Sequence, residues 1–347
     1  MNPIGVFPTN YARPFTTARF PLCVRMNAAW LRDGRGWPPS PFGGRLIIDT
    51  IPQETTMPDP ITGLWAAATT PIDTAGTIDH AALARHAQRL LHGGCDGLVL
   101  FGSCGEGPSF SIGERLAAAE AVLRAGVGPA HVALGTGCPA ISDTVALTRG
   151  MLGLGITRSL LLPPYYFAGV SPQGIEDAFA AVLDGVADTR LSACLYHIPQ
   201  VCGVPVPPAV LGRLRSRYGA TVSGVKDSSG DFASFLAFRA AAPDVASLVG
   251  AEVLIARALA AGGQGTICGM ANLTPALLRR LLLDARAQAA IEQACEPIDG
   301  IPLLKAVLAA MTGEAIWRNV RPPLRAADAA AGARVAAMLE ALERAGA

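Results

Sequence analysis

From Gly63 onward, short runs of aliphatic and β-branched residues alternate with longer stretches in which apolar and polar positions mix. The runs are Leu64 to Thr69, Gly97 to Phe101, His131 to Gly135, Ser159 to Leu162, Ser192 to Tyr196, Thr221 to Lys226, Ser247 to Gly250 and Gly265 to Cys268. Each is short and largely apolar, the pattern of a strand buried on both faces. Between them the apolar residues recur with a helical period, as at Leu83, Ala87, Leu90 and Leu91. Start signals fall where helices should begin. Ser111 to Glu114 has the form of a capping box, and Ser171-Pro172 and Thr274-Pro275 set a hydroxyl residue before a proline at the first helical position. Eight strand-helix repeats of parallel connectivity suit an α/β fold closed into a (β/α)8 TIM barrel better than two open sheets. Three further helical stretches, Pro275 to Ala290, Ile301 to Met311 and Ala327 to Ala345, predict a C-terminal helical appendage. The expected organisation is a barrel over 57–272 and packed helices over 273–347.

The first 56 residues do not share this pattern. They hold six arginines and several prolines, with no sustained apolar period and no apolar core of a secretory signal. They are expected to be a loosely structured extension, with Met57 as the true start.

Composition narrows the function. The chain is 51% hydrophobic and 16% charged, with 28 basic and 27 acidic residues and a net charge of +1, which argues against binding to nucleic acid or to a membrane surface. No apolar run is long enough to span a membrane. The eight cysteines form no Cys-x-x-Cys pair, and several lie in apolar runs, as expected of buried thiols in a reducing cytoplasm. His80, His86 and His92 are six residues apart, the wrong spacing for a helical metal-ligand pair, so no metal is expected. Only two of the basic residues, Lys226 and Lys305, are lysines.

In a TIM barrel the chemistry sits at the C-terminal ends of the strands. The second strand runs into Gly102-Ser103-Cys104-Gly105-Glu106-Gly107, whose free N–H groups and hydroxyl suit a carboxylate or phosphate. An ordinary tight turn has the same composition. Gly135 to Ala140 matches G-x-G-x-x-A, but the next strand ends in Leu162-Pro163 without the acid that a dinucleotide site needs, so the match reads as chance. Lys226 ends the sixth strand. Burial and any cationic neighbour would lower its pKa toward the free amine that attacks carbonyls; the simpler alternative pairs it with an acid such as Asp227. Tyr196 ends the fifth strand, and Tyr165 and Tyr166 follow the fourth, so phenols capable of proton relay are close at hand. A lysine nucleophile, a tyrosine acid/base, a hydroxyl relay and a carboxylate cradle together meet the needs of Schiff-base chemistry on a 2-oxo acid. Lys305, within the run Ile301 to Met311, is expected in a structural ion pair.

These segments, in this order, resemble the dihydrodipicolinate synthase and N-acetylneuraminate lyase superfamily of class I aldolases. Gly102 to Glu106 is similar to its G-[TS]-T-G-E loop, Tyr165-Tyr166 to its paired tyrosines, Tyr196-His197-Ile198-Pro199 to Y-N-x-P, and Gly224 to Asp227 to G-[IV]-K-[DE]. The resemblance implies that Lys226 forms the imine and that Tyr196 donates and accepts protons. It implies that Ser103 links Tyr196 to Tyr166, and that Tyr166 reaches a neighbouring subunit in a homodimer or homotetramer. Cys104 and Gly105 would hold the substrate carboxylate, with a thiol where the family has a threonine hydroxyl, and Gly250 and Ile267 would flank bound pyruvate. Val201 occupies the position where the synthases carry an arginine for the carboxylate of the aldehyde. A charge-assisted bond missing there costs about 1.5–3 kcal/mol. Glu252 matches a position that helps bind polyol chains.

The expected protein is therefore a cytoplasmic lyase, free of cofactor apart from the imine, that makes or breaks a C–C bond between pyruvate and an aldehyde. A 2-keto-3-deoxy sugar acid is the expected substrate type. The alternatives are 4-hydroxy-tetrahydrodipicolinate synthase, acting on pyruvate and aspartate semialdehyde, and a non-catalytic binder of 2-oxo acids.

Overall fold

A computed structural model of the chain describes residues 59–345. The N-terminal extension and the start expected at Met57 lie outside these described residues. Eight strands form one closed, parallel barrel in sequential order, β1 to β8. They are β1 Gly63–Ala67, β2 Gly97–Leu100, β3 Val132–Gly135, β4 Arg158–Leu161, β5 Ser192–His197, β6 Val222–Asp227, β7 Ala246–Val249 and β8 Gly265–Cys268. The connecting helices are α1 His80–His92, α2 Ile112–Arg124, α3 Ile141–Gly153, α4 Pro172–Val186, the short α5 Pro199–Cys202, α6 Pro208–Tyr218, α7 Phe232–Ala241 and α8 Ile255–Ala260. None of the described helices is long and apolar enough to cross a membrane.

Strand periodicity explains both faces of the sheet. Trp65, Ala67, Val99, Ala133, Leu160, Cys194, Tyr196, Leu248 and Ile267 pack together inside the barrel. The intervening residues, among them Leu64, Leu98, Leu134, Leu195, Val225 and Val249, pack in the layer beneath the helices. Near-continuous apolar runs in the sequence are thus two interleaved buried faces. Trp65 fills the interior opposite Gly97, where an added Cβ would lie 2.6 Å from the indole ring; only glycine fits.

The capping box at the start of α2 is present: Ser111 Oγ accepts from Glu114 N at 3.3 Å, and Glu114 Oε2 accepts from Ser111 N at 2.8 Å. Ser171 caps α4 by accepting from Gly174 N at 3.1 Å. Thr274 does not cap the helix that follows it. It is fully buried, and its hydroxyl turns inward to donate to the Met270 carbonyl at 3.5 Å.

The stretch Pro275 to Ala290, expected as one helix, is broken at Asp284, whose carboxylate accepts from Arg286 N at 3.0 Å. It divides into α9 Pro275–Leu283 and α10 Gln288–Cys295. Helix α9 packs against α8 and β1, the place of the eighth helix in the ring. Beyond it, α10 is followed by α11 Gly300–Thr312 and α12 Ala329–Ala345, the last two packed on each other. Their approach is close because residue 332 is glycine: a Cβ there would meet the Ala306 backbone at 2.6 Å.

Candidate active site

The strand register builds the centre of the site. Tyr196 on β5 and Lys226 on β6 are paired across adjacent strands, and both point inward. Both are almost fully buried, at 3% and 4% exposure, with Lys226 Nζ 4.3 Å from the centroid of the Tyr196 ring. The Tyr196 hydroxyl shares a 3.3 Å hydrogen bond with Ser103 Oγ, from the loop after β2. The ammonium therefore faces an aromatic ring and a hydroxyl pair. Asp227 turns away, its Oδ1 accepting from Ser229 N at 2.8 Å.

Desolvation pulls the Lys226 amine down, but the acids around it, Tyr196 first and then Cys104 and Cys268, outweigh that effect, and its pKa lies above the ordinary lysine value. The expectation of a lowered amine is corrected here: it invoked a cationic neighbour, and the groups acting on Lys226 are a phenol and thiols. The π face of Tyr196 further favours the cation. Burial pushes the Cys104 thiol up, with Lys226 opposing, so residue 104 presents a protonated thiol. Burial also pushes Cys194, beneath Lys226, up to about 12.

Above Lys226 lies a cavity of about 340 Å³. Its lining includes Ser103, Cys104, Tyr196, Lys226, Gly250, Glu252 and Ile267, seven of the ten residues expected at the site. Close packing makes Gly250 necessary, since a Cβ at that position would fall 2.7 Å from Lys226 Cε. Glu252 Oε1 accepts from Met270 N at 3.0 Å. Gly105 stands just behind the lining; its carbonyl accepts from Thr70 Oγ1 at 2.8 Å, and a Cβ there would meet the Ala68 carbonyl at 2.8 Å.

Two expected residues lie elsewhere on the chain. Val201, on α5, is 67% exposed and does not line the cavity. Tyr166 is 85% exposed and outside the cavity, with a φ of 95°, a conformation costly for an aromatic residue. Within this chain Ser103 is therefore joined to Tyr196 and not to Tyr166. Sequence reasoning missed the upper wall, which comes from the C-terminal segments: Cys295, Ile298, Gly300, Ile301 and Leu304. Their apolar spacing is that of ordinary helix packing and carries no sign of a site.

The cradle loop is anchored from behind. Lys305 on α11 is fully buried and donates to Glu106 Oε1 at 2.6 Å and to the Thr70 carbonyl at 2.9 Å. The second Glu106 oxygen accepts from Arg321 N at 2.9 Å. Glu106 itself has a φ of 54°, so these two contacts on its carboxylate fix a strained residue two positions after Cys104. Lys305 thus has the ion-pair role expected of it. Among the described residues, no three His, Cys, Asp or Glu side chains cluster as a metal site.

Comparison with known proteins agrees with this geometry. Residues 60–341 match the model of the dihydrodipicolinate synthetase family. An uncharacterized DapA-like lyase of Chloroflexus aurantiacus is 36% identical over 258 residues, covering 71% of this chain and 85% of that protein. The 4-hydroxy-tetrahydrodipicolinate synthase of Mycobacterium leprae is 36% identical over 220 residues, 63% of this chain and 71% of that enzyme. The crystal structure of dihydrodipicolinate synthase from Agrobacterium tumefaciens superimposes with a TM-score of 0.77 at 34% identity, over 81% of this chain and 99% of that one. On motif, barrel and overall similarity alike, the chain is a lyase belonging to the dihydrodipicolinate synthetase family.

Proposed function

We propose that the protein forms a Schiff base between Lys226 and pyruvate, or a pyruvate-derived 2-oxo acid, and makes or breaks the C–C bond at the pyruvyl methyl carbon. The observation that carries this reading is the buried triad: Lys226 against the ring of Tyr196, with the Tyr196 hydroxyl bonded to Ser103. A lysine held as a cation is not yet a nucleophile. It becomes one by releasing its proton through the Tyr196–Ser103 hydroxyl chain to solvent as the 2-oxo acid enters, and the amine then attacks the carbonyl carbon. Tyr196 returns a proton to the departing hydroxyl, water leaves, and the imine draws electrons from the adjacent C–C or C–H bond. The N–H groups and thiol at Cys104 and Gly105 would receive the substrate carboxylate, with Gly250 and Ile267 at its flanks.

On this reading no cofactor beyond the imine is needed, and the enzyme works in the cytoplasm, in keeping with seven free cysteines among the described residues. The outward, strained Tyr166 supports a homodimer or homotetramer in which this residue completes a partner's site. The second reading, 4-hydroxy-tetrahydrodipicolinate synthase, has named relatives in its favour. The absence of a cation at Val201 weighs against it.

Borohydride reduction in the presence of pyruvate is expected to leave a three-carbon adduct on Lys226, found by peptide mass mapping. An adduct confined to Lys305, or none, would refute the imine. Lys226→Arg should abolish turnover, because a guanidinium does not surrender its proton.

A further inference from the structure

We infer that the aldehyde half of the substrate is an uncharged, predominantly apolar group, aliphatic or aromatic. This deepens the Schiff-base reading and rests on it. Of the described side chains that line the cavity, only Lys226 and Glu252 carry full charges. Lys226 is consumed in the imine. What remains is the Glu252 carboxylate beside the carboxylate of the pyruvyl unit, so a phosphate or second carboxylate on the aldehyde would meet like charge and no cation. The chain's other lysine is held by Glu106 and the Thr70 carbonyl.

A polyol fares little better. Its hydroxyls need partners, and beyond the Tyr196 hydroxyl and the weakly donating thiols of Cys104 and Cys295 the described lining offers only Ser103, already bonded to Tyr196, Glu252, one oxygen of which is taken by Met270 N, and Ser228. Unpaired hydroxyls against an apolar wall are penalised. That wall is formed by Ile198 after β5 together with Cys295, Ile298, Ile301 and Leu304 from the α10–α11 region. Leu304 reaches across to the β8 loop, its Cδ1 lying 3.8 Å from the Cβ position of Gly269, where Cys104 Sγ and Glu252 Oε1 also converge. The barrel thus supplies the imine chemistry, and the appended helices supply a hydrophobic socket for the second reactant.

The step balances without oxidant or reductant. The enamine carbon of the pyruvyl–Lys226 adduct adds to the aldehyde carbon, forming one C–C bond. The proton that the pyruvyl methyl gives up as the iminium becomes the enamine is relayed through Tyr196 to the aldehyde oxygen, which becomes a hydroxyl. One water, equal to that released on imine formation, hydrolyses the product from Lys226, so the net reaction is addition of pyruvate to the aldehyde.

The test uses the full chain and begins with borohydride trapping of pyruvate, which reports the imine independently of any aldehyde. Condensation of pyruvate is then measured with benzaldehyde and isobutyraldehyde against glyceraldehyde, glyceraldehyde 3-phosphate and aspartate semialdehyde. The apolar aldehydes should lead in kcat/KM by about 100-fold. Ile301→Arg should shift that ratio toward glyceraldehyde 3-phosphate by about 10-fold or more. With trapping intact, equal or better use of the polar or anionic aldehydes, or no turnover of either apolar one, overturns the inference. Failure of trapping instead overturns the imine reading and this inference with it.

Discussion

Gly250 decides where the Lys226 amine can stand. A methyl group there would press on Lys226 Cε at 2.7 Å and on Ser228 Oγ at 1.8 Å. The serine hydroxyl can rotate away, but the lysine stem rises from a strand locked on both sides, so Gly250→Ala should displace Nζ. A misplacement on the order of 1 Å costs about 100-fold in rate. The expected outcome is a kcat lowered by about that factor in a variant whose circular dichroism is unchanged, with borohydride trapping slowed in parallel. The role of Lys226 was legible in the sequence because the chain has two lysines and one of them ends a strand inside a motif. The sign of its pKa shift was not. That sign depends on Tyr196, Cys104 and Cys268, which come from three other strand ends and are brought together only by closure of the barrel.

At the scale of elements, helix α11 and the loop after β2 behave as one unit through Lys305 and Glu106. A buried pair is weak support for stability when replaced whole, but removing one partner strands the other charge. Lys305→Met should therefore destabilise the protein by about 3–5 kcal/mol in urea titrations. The double variant Lys305→Met with Glu106→Gln should recover a large part of that loss. If the double variant is no better than the single one, the pair is not the origin of the effect. The helical stretches were readable from their period, and the capping residues of α2 and α4 from their type. The break at Asp284 was not, because Asp-x-Arg inside a helical period is equally compatible with continuation. Nor was the partner of Lys305, since Glu106 lies 199 positions away.

For the molecule as a whole, the seam where β8 meets β1 is held by a buried polar network. Asn272 donates to the Ala67 and Gly269 carbonyls at 2.8 Å and accepts from Thr69 N at 3.1 Å. His86, on α1, completes it: Nε2 is 2.9 Å from Asn272 Oδ1, and Nδ1 is 3.0 Å from Arg89. Both ring nitrogens are satisfied only in the neutral form, and burial, with Arg89 beside it, lowers the His86 pKa to about 3. The unfolded chain protonates this histidine near 6.5, so between 6.5 and about 3 the unfolded state binds more protons. The stability it contributes is complete above 6.5 and is lost as pH falls through that window. Thermal melts should show His86→Gln less stable at neutral pH but with a shallower acid slope than the parent. Eight strand-helix repeats made the closed barrel legible, yet nothing in the local pattern marked how the first and last strands are fastened. The lysine scarcity that drew attention to Lys226 also shapes how the protein meets its surroundings. One side-chain amine is sealed inside an ion pair and the other sits at the floor of a cavity, so the outer surface offers nothing to lysine-directed acylation, conjugation or cross-linking. Labelling of Lys226 by an amine reagent small enough to enter, separated by peptide mapping from labelling of the α-amino terminus, becomes in effect a count of working sites.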